Sequence, residues 1–127
     1  MSSKPKTVLV IEDEEDIRDY LTCLLTDNGF TVETASNGEE GLARLEEWIP
    51  DLVTLDITMP LKTGIRVYRD IKKSPKWRSI PVVIVTGISK DFETFISNRR
   101  TVPPPEGYVH KPIDQQKLLG LVRQLTM

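Results

Sequence analysis

The sequence predicts an α/β domain built on a doubly wound, five-stranded parallel sheet. Two observations predict it. Short β-branched apolar runs alternate with segments whose apolar residues recur at helical spacing, from Thr7 to Leu125. That alternation is the mark of parallel strands joined by crossover helices. The first run is also apolar from Val8 to Ile11 before it ends abruptly in acids, as a strand covered on both faces does.

Thr7-Val8-Leu9-Val10-Ile11 predicts the first strand, and it stops abruptly at Glu12-Asp13-Glu14-Glu15-Asp16. Ile17, Tyr20, Leu21, Leu24 and Leu25 then predict the inward face of a helix that Gly29 closes. Cys23, in the same helix, is expected as a small buried hydrophobe. Phe30 to Ala35 alternates and predicts the second strand. Ser36-Asn37-Gly38 supplies a turn and a cap for a helix from Glu39 to Trp48, with Leu42 and Leu45 on one face. Leu52-Val53-Thr54-Leu55 predicts the third strand, ending in Asp56. Met59 to Gly64 reads as loop, and Ile65 to Lys73 as a helix ended by Ser74-Pro75. Ile80 to Val85 predicts the fourth strand, followed by Thr86-Gly87. Phe92, Phe95 and Ile96 return to helical spacing and read as core. Pro103-Pro104-Pro105 excludes a helix interior between Thr101 and Gly107. Tyr108-Val109-His110 predicts the fifth strand, closed by Lys111-Pro112. Asp114 to Leu125 predicts the last helix, with Leu118, Leu121, Val122 and Leu125 inward.

A chain of 127 residues makes one domain, 1–127, with a core from about 6 to 126. It buries enough surface to fold without disulfide or metal staples. Hydrophobic residues at 39% and charged residues at 28% exclude the disordered and membrane classes. No apolar run approaches the roughly 20 residues of a membrane span. Met1 to Lys6 lacks the apolar centre of a signal peptide, so the expected compartment is the cytoplasm. A net charge of −2 implies no general attraction to nucleic acid or acidic lipid. One cysteine excludes an intrachain disulfide. With His110 as the one histidine, a Cys/His zinc cluster is excluded too, and His110 has poor neighbours for nucleophilic catalysis.

In a doubly wound sheet the site lies outside the carboxyl ends of the strands. Those ends carry Glu12 and Asp13, then Asp56, Thr86 and Lys111. Crowded carboxylates repel one another and call for a cation, and oxygen-only ligands suit Mg²⁺. Taken singly, each residue has an ordinary explanation: a solvated helix start, a turn, an N-cap, a surface lysine. Together they occupy four strand ends on one edge, and the functional reading is the better one for the set.

Over Val8 to the last helix the chain resembles the response-regulator receiver domain. Val8 to Arg18 is similar to that family's acid pair and first helix. Asp56-Ile57-Thr58-Met59-Pro60 with Gly64 resembles its phosphoacceptor loop, and Thr86-Gly87 its signalling threonine with a small residue after it. Tyr108-Val109-His110-Lys111-Pro112 resembles its aromatic, lysine and proline. The resemblance implies strand order 2-1-3-4-5 with five helices. It implies a two-component phosphorelay switch in which Asp56 takes a phosphoryl group from a histidine kinase or phosphotransfer protein. It implies Mg²⁺ held by Glu12, Asp13, Asp56 and the backbone carbonyl of Thr58. Lys111 and Thr86 would bond phosphoryl oxygens, and Thr86 with Tyr108 would form the switch. The face of the fourth helix, fifth strand and fifth helix would then change to control a partner. Lys111-Pro112 is the candidate cis bond. The expected molecule is a signalling domain rather than an enzyme with a separate substrate, a monomer or weak dimer that binds neither nucleic acid nor membrane directly.

The sequence departs from the family's pattern in three places. The first acid is Glu12, where Asp is commonest, so the ion would be reached through water on that side. Thr58 and Ile88 flank the path of the hydrolytic water, and neither is acidic or amide-bearing, which predicts a long-lived phosphoryl group. Arg99 to Pro105 replaces a short turn, either as a surface insertion or as a partner-docking element. An aspartyl-phosphate phosphatase of another α/β family is disfavoured, because Thr58 stands where that chemistry needs a second acid. A scaffold that binds partners without phosphorylation is disfavoured by the intact acid, hydroxyl and lysine set. With no output domain after Met127, the chain reads as a stand-alone regulator or a piece of a larger one.

Overall fold

The computed structural model describes residues 5–57, 61–87 and 104–127, with 61–63 described by their backbone alone. Its strands are β1 (Thr7–Ile11), β2 (Thr31–Ala35), β3 (Leu52–Asp56), β4 (Val82–Thr86) and β5 (Gly107–His110). They form one sheet in the order β2-β1-β3-β4-β5 with every pair parallel. The described helices are α1 (Glu15–Asp27), α2 (Gly38–Glu47), α3 (Leu61–Lys73) and α4 (Gln115–Thr126). Phe92, Phe95 and Ile96 lie outside the described residues, so the helix expected as the fifth is α4 in this numbering.

Period-two alternation explains how one strand feeds two cores. Leu9, Ile11, Val53, Leu55, Val82 and Ile84 face a layer holding Leu45 of α2 and Val67, Tyr68 and Ile71 of α3. Their neighbours Val8, Val10, Val83 and Val109 face Leu21 and Leu25 of α1 and Leu118, Leu119 and Val122 of α4. Each fully buried aliphatic side chain contributes about 1.5–3 kcal/mol. Local signals fix the helix starts. Asn37 Oδ1 accepts from Glu40 N at 2.8 Å while Glu40 Oε1 accepts from Ser36 N at 2.9 Å. Asp114 Oδ1 accepts from Gln116 N and Lys117 N at 3.0 and 3.2 Å. Gly29, at φ 93°, takes the left-handed turn that closes α1.

Three expectations change. Cys23 is exposed, because it lies two residues, or about 200°, from both Leu21 and Leu25 on the helix. Tyr20, at 38% exposure, flanks the core rather than filling it. The third helix starts at Leu61 instead of Ile65, with Gly64 inside it. A Cβ on Gly64 would stand 2.9 Å from Ile57 Cα, so this glycine allows close helix–sheet approach and does not mark a loop. Gly64→Ala is expected to destabilise the fold by about 1–2 kcal/mol, overpacking outweighing the gain in helix propensity. Urea denaturation checks this, and an unchanged midpoint would show that α3 can shift outward at no cost.

At the amino ends of the strands, Lys72 Nζ is buried at the end of α3 and donates to Glu106 Oε1 and Oε2 at 2.9 and 3.0 Å and to Ile80 O at 3.1 Å. Glu106, just before β5, also accepts from Val82 N at 2.7 Å. Trp48 and Trp77 belong to this end as well, in the connections leading into β3 and β4. No described helix is long and apolar enough to cross a membrane.

Candidate functional site

The carboxyl ends of β1, β3 and β4 and the residue after β5 bring the expected side chains to one edge. Asp56 is the last residue of β3 and is 1% exposed, and Glu12, directly after β1, is equally buried. Glu12 N donates to Ala35 O at 3.0 Å, which continues the β1–β2 ladder and turns the side chain inward. Glu12 Oε2 accepts from Glu14 N at 3.2 Å, and Arg18 donates to the Glu12 carbonyl at 3.0 Å. Glu12 Oε1 is buried and makes no hydrogen bond. Asp13 is exposed at the mouth. One carboxylate oxygen from each of Glu12, Asp13, Glu14 and Asp56 lies within 4.8 Å of all the others.

Lys111 enters from the far side. Its N donates to Thr86 O at 2.8 Å, locking the ends of β4 and β5 together. Its Nζ lies 3.5 Å from Asp56 Oδ2 and Glu12 Oε1 and 3.6 Å from Glu14 Oε1. Burial works against the charge on Lys111, but Asp56, Glu12 and Glu14 outweigh it and hold the ammonium above its usual range. The Lys111-Pro112 peptide bond is cis. Thr86 is buried at the end of β4. Tyr108 pairs with Ile84 and His110 with Thr86, so Thr86 and the half-buried Tyr108 ring share one face of the sheet. Thr58, Ile88 and Arg99 to Pro103 lie outside the described residues. Glu14, which the sequence shows only as one acid of the run Glu12 to Asp16, joins the site. The signal for it is its place directly after the acid pair, at the N-cap of α1.

Burial, reinforced by the Asp56 carboxylate beside it, pushes Glu12 up to about 8 from 4.5. Near neutral pH a proton therefore occupies the place where a cation's charge is needed. Without a divalent ion the native state binds more protons than the unfolded chain across that window, so stability falls as pH rises through it. In EDTA, thermal melting is expected to weaken between about pH 5 and pH 8 in wild type and to change less in Glu12→Gln, which keeps the neutral form. Parallel profiles would show that Glu12 is ionised throughout.

Comparison with known proteins adds the family. A sequence profile of the response regulator receiver domain matches residues 8–123. An uncharacterized 14.6 kDa protein of Leptolyngbya boryana is 31% identical over 94% of this chain and 89% of its own length. Protein PilH of Pseudomonas aeruginosa is 31% identical over 91% of this chain and 93% of its own. The transcriptional regulatory protein AfsQ1 of Streptomyces coelicolor is 32% identical over 92% of this chain, which spans 49% of that protein. Among solved structures, the signal receiver domain of a signal transduction histidine kinase from Syntrophus aciditrophicus superposes with a TM-score of 0.82 at 27% identity, covering 95% of this chain and 89% of that one. The chemotaxis response regulator CheY4 of Vibrio cholerae, at 24% identity, shares the fold with a TM-score of 0.83 over 95% of this chain and 98% of its own. With the profile spanning nearly the whole chain and the sheet in the order that its motifs implied, this protein belongs to the response regulator receiver domain family.

Proposed function

We propose that the chain is a phosphoacceptor switch of a two-component phosphorelay, with Asp56 the acceptor. The observation that carries this reading is the buried Asp56 carboxylate at a strand end, crowded by Glu12 and faced by the Lys111 ammonium. The all-oxygen donor set, with a buried Glu12 oxygen left without a hydrogen bond, fits a hard divalent cation. Glu12, Asp13, Asp56 and the Thr58 carbonyl would hold Mg²⁺. When bound, the ion would neutralise charge on the transferred group.

Asp56 Oδ attacks the phosphorus of a kinase or phosphotransfer-protein phosphohistidine. The O–P bond forms as the N–P bond breaks, and the departing electron pair stays on the imidazole nitrogen. Lys111 pairs with one phosphoryl oxygen as a mobile point charge. The Thr86 hydroxyl bonds another, and the space it vacates on the shared sheet face is filled by Tyr108. Output is a population shift at the surface around β5, read by a downstream partner. Thr58 and Ile88 provide no acid or amide to orient water, so the phosphoryl group is long-lived. In this reading the molecule works in the cytoplasm, as a monomer or weak dimer, without touching nucleic acid itself.

The test is intact-mass analysis after incubation with acetyl phosphate and Mg²⁺. One added phosphoryl group supports the reading. No adduct, under conditions that modify another receiver domain, would make the chain a scaffold.

A further inference from the structure

Glu14 holds the N-cap position of α1, yet its side chain makes no capping hydrogen bond. A carboxylate there is ordinarily drawn to the free N–H groups of the first turn. Glu14 instead puts Oε1 3.6 Å from Lys111 Nζ. The ammonium stands almost equally far from Glu12 and Asp56, at 3.5 Å from each. Of the three carboxylates, Glu14 alone is well exposed, at 59% against 1% for Glu12 and 0% for Asp56. The Glu12 oxygen nearest the ammonium is buried and without a hydrogen bond, so Lys111 stands beside an oxygen that a metal ion would take. The acid oxygens lie within 4.8 Å of one another, which leaves too little room for two cations to share them without strong repulsion.

We propose that Glu14 is a positioning residue for Lys111, the outer carboxylate to which the ammonium moves when a divalent ion takes Glu12 and Asp56. The inference rests on the phosphoacceptor reading for its purpose: a lysine parked at the mouth is ready for the incoming phosphoryl oxygens. Without Glu14 the ion would have to displace an ammonium that has nowhere favourable to go.

The experiment is a calorimetric Mg²⁺ titration in about 0.5 M KCl, where attraction through water is screened. It compares wild type with Glu14→Gln, and repeats the pair in a Lys111→Met background, with Lys111→Gln in reserve should Met impair folding. Glu14→Gln is expected to raise the Mg²⁺ Kd about fivefold in wild type and less than about twofold without Lys111. An equal rise in both backgrounds would make Glu14 a direct ligand, and no change in either would make it a solvated helix start. Either result overturns the proposal. Acetyl phosphate labelling is scored separately, so a missing adduct with the Glu14–Lys111 coupling intact would remove the phosphoacceptor reading and leave the coupling standing.

Discussion

Asp56→Ala is expected to abolish phosphorylation from acetyl phosphate, a fall of more than about 10³-fold in rate, or over 4 kcal/mol of barrier. The neighbouring acids do not substitute for it. Without the ion, burial and the neighbouring Asp56 carboxylate push Glu12 up to about 8, and with the ion Glu12 would be held as a ligand. Asp13 is exposed at the mouth, whereas Lys111 is drawn toward Glu12, Glu14 and Asp56. The variant should remain folded, since the lost group is a buried carboxylate crowded by Glu12. Intact mass and a thermal melt on the same sample decide the matter. An adduct of equal yield on a folded Asp56→Ala protein would move the acceptor elsewhere.

Glu106→Gln is expected to cost about 3–5 kcal/mol, with a fall of roughly 10 °C or more in melting temperature. The loss is large because Lys72 has a side chain only 1% exposed, so its charge would be left facing carbonyls alone. Lys72→Met should cost less, about 1–3 kcal/mol, since Glu106 is 34% exposed and keeps its bond from Val82 N. This order is the informative part. Equal losses would mean that the pair acts through packing rather than charge. The clasp also holds the leading end of β5. Burial first, then Glu106 and Tyr108, raise the Tyr68 phenol above its usual range.

The inner strands were legible because burial on both faces leaves a nearly unbroken apolar signature, as in Val8 to Ile11. The site edge was legible for the same reason: a run such as Leu52 to Leu55 has to end somewhere, and Asp56 ends it. Contacts between distant segments were less visible. Gly64 looks like a breaker until Ile57 is placed against it. Lys72 and Glu106, 34 residues apart, carry no local sign of pairing. Glu14 was hidden within a run of acids, since charge alone does not say which carboxylate faces Lys111. The Cys23 expectation failed because composition favours burial for cysteine while helix phase overrules it.

The tryptophans offer a practical consequence. Trp77 is 8% exposed with its indole nitrogen unbonded, and both it and Trp48 lie at the sheet end away from the acid cluster. Intrinsic emission is thus a readout of global unfolding that carries little direct signature of events at Asp56. Stability and ion binding can be followed in one cuvette and one calorimeter without either signal contaminating the other.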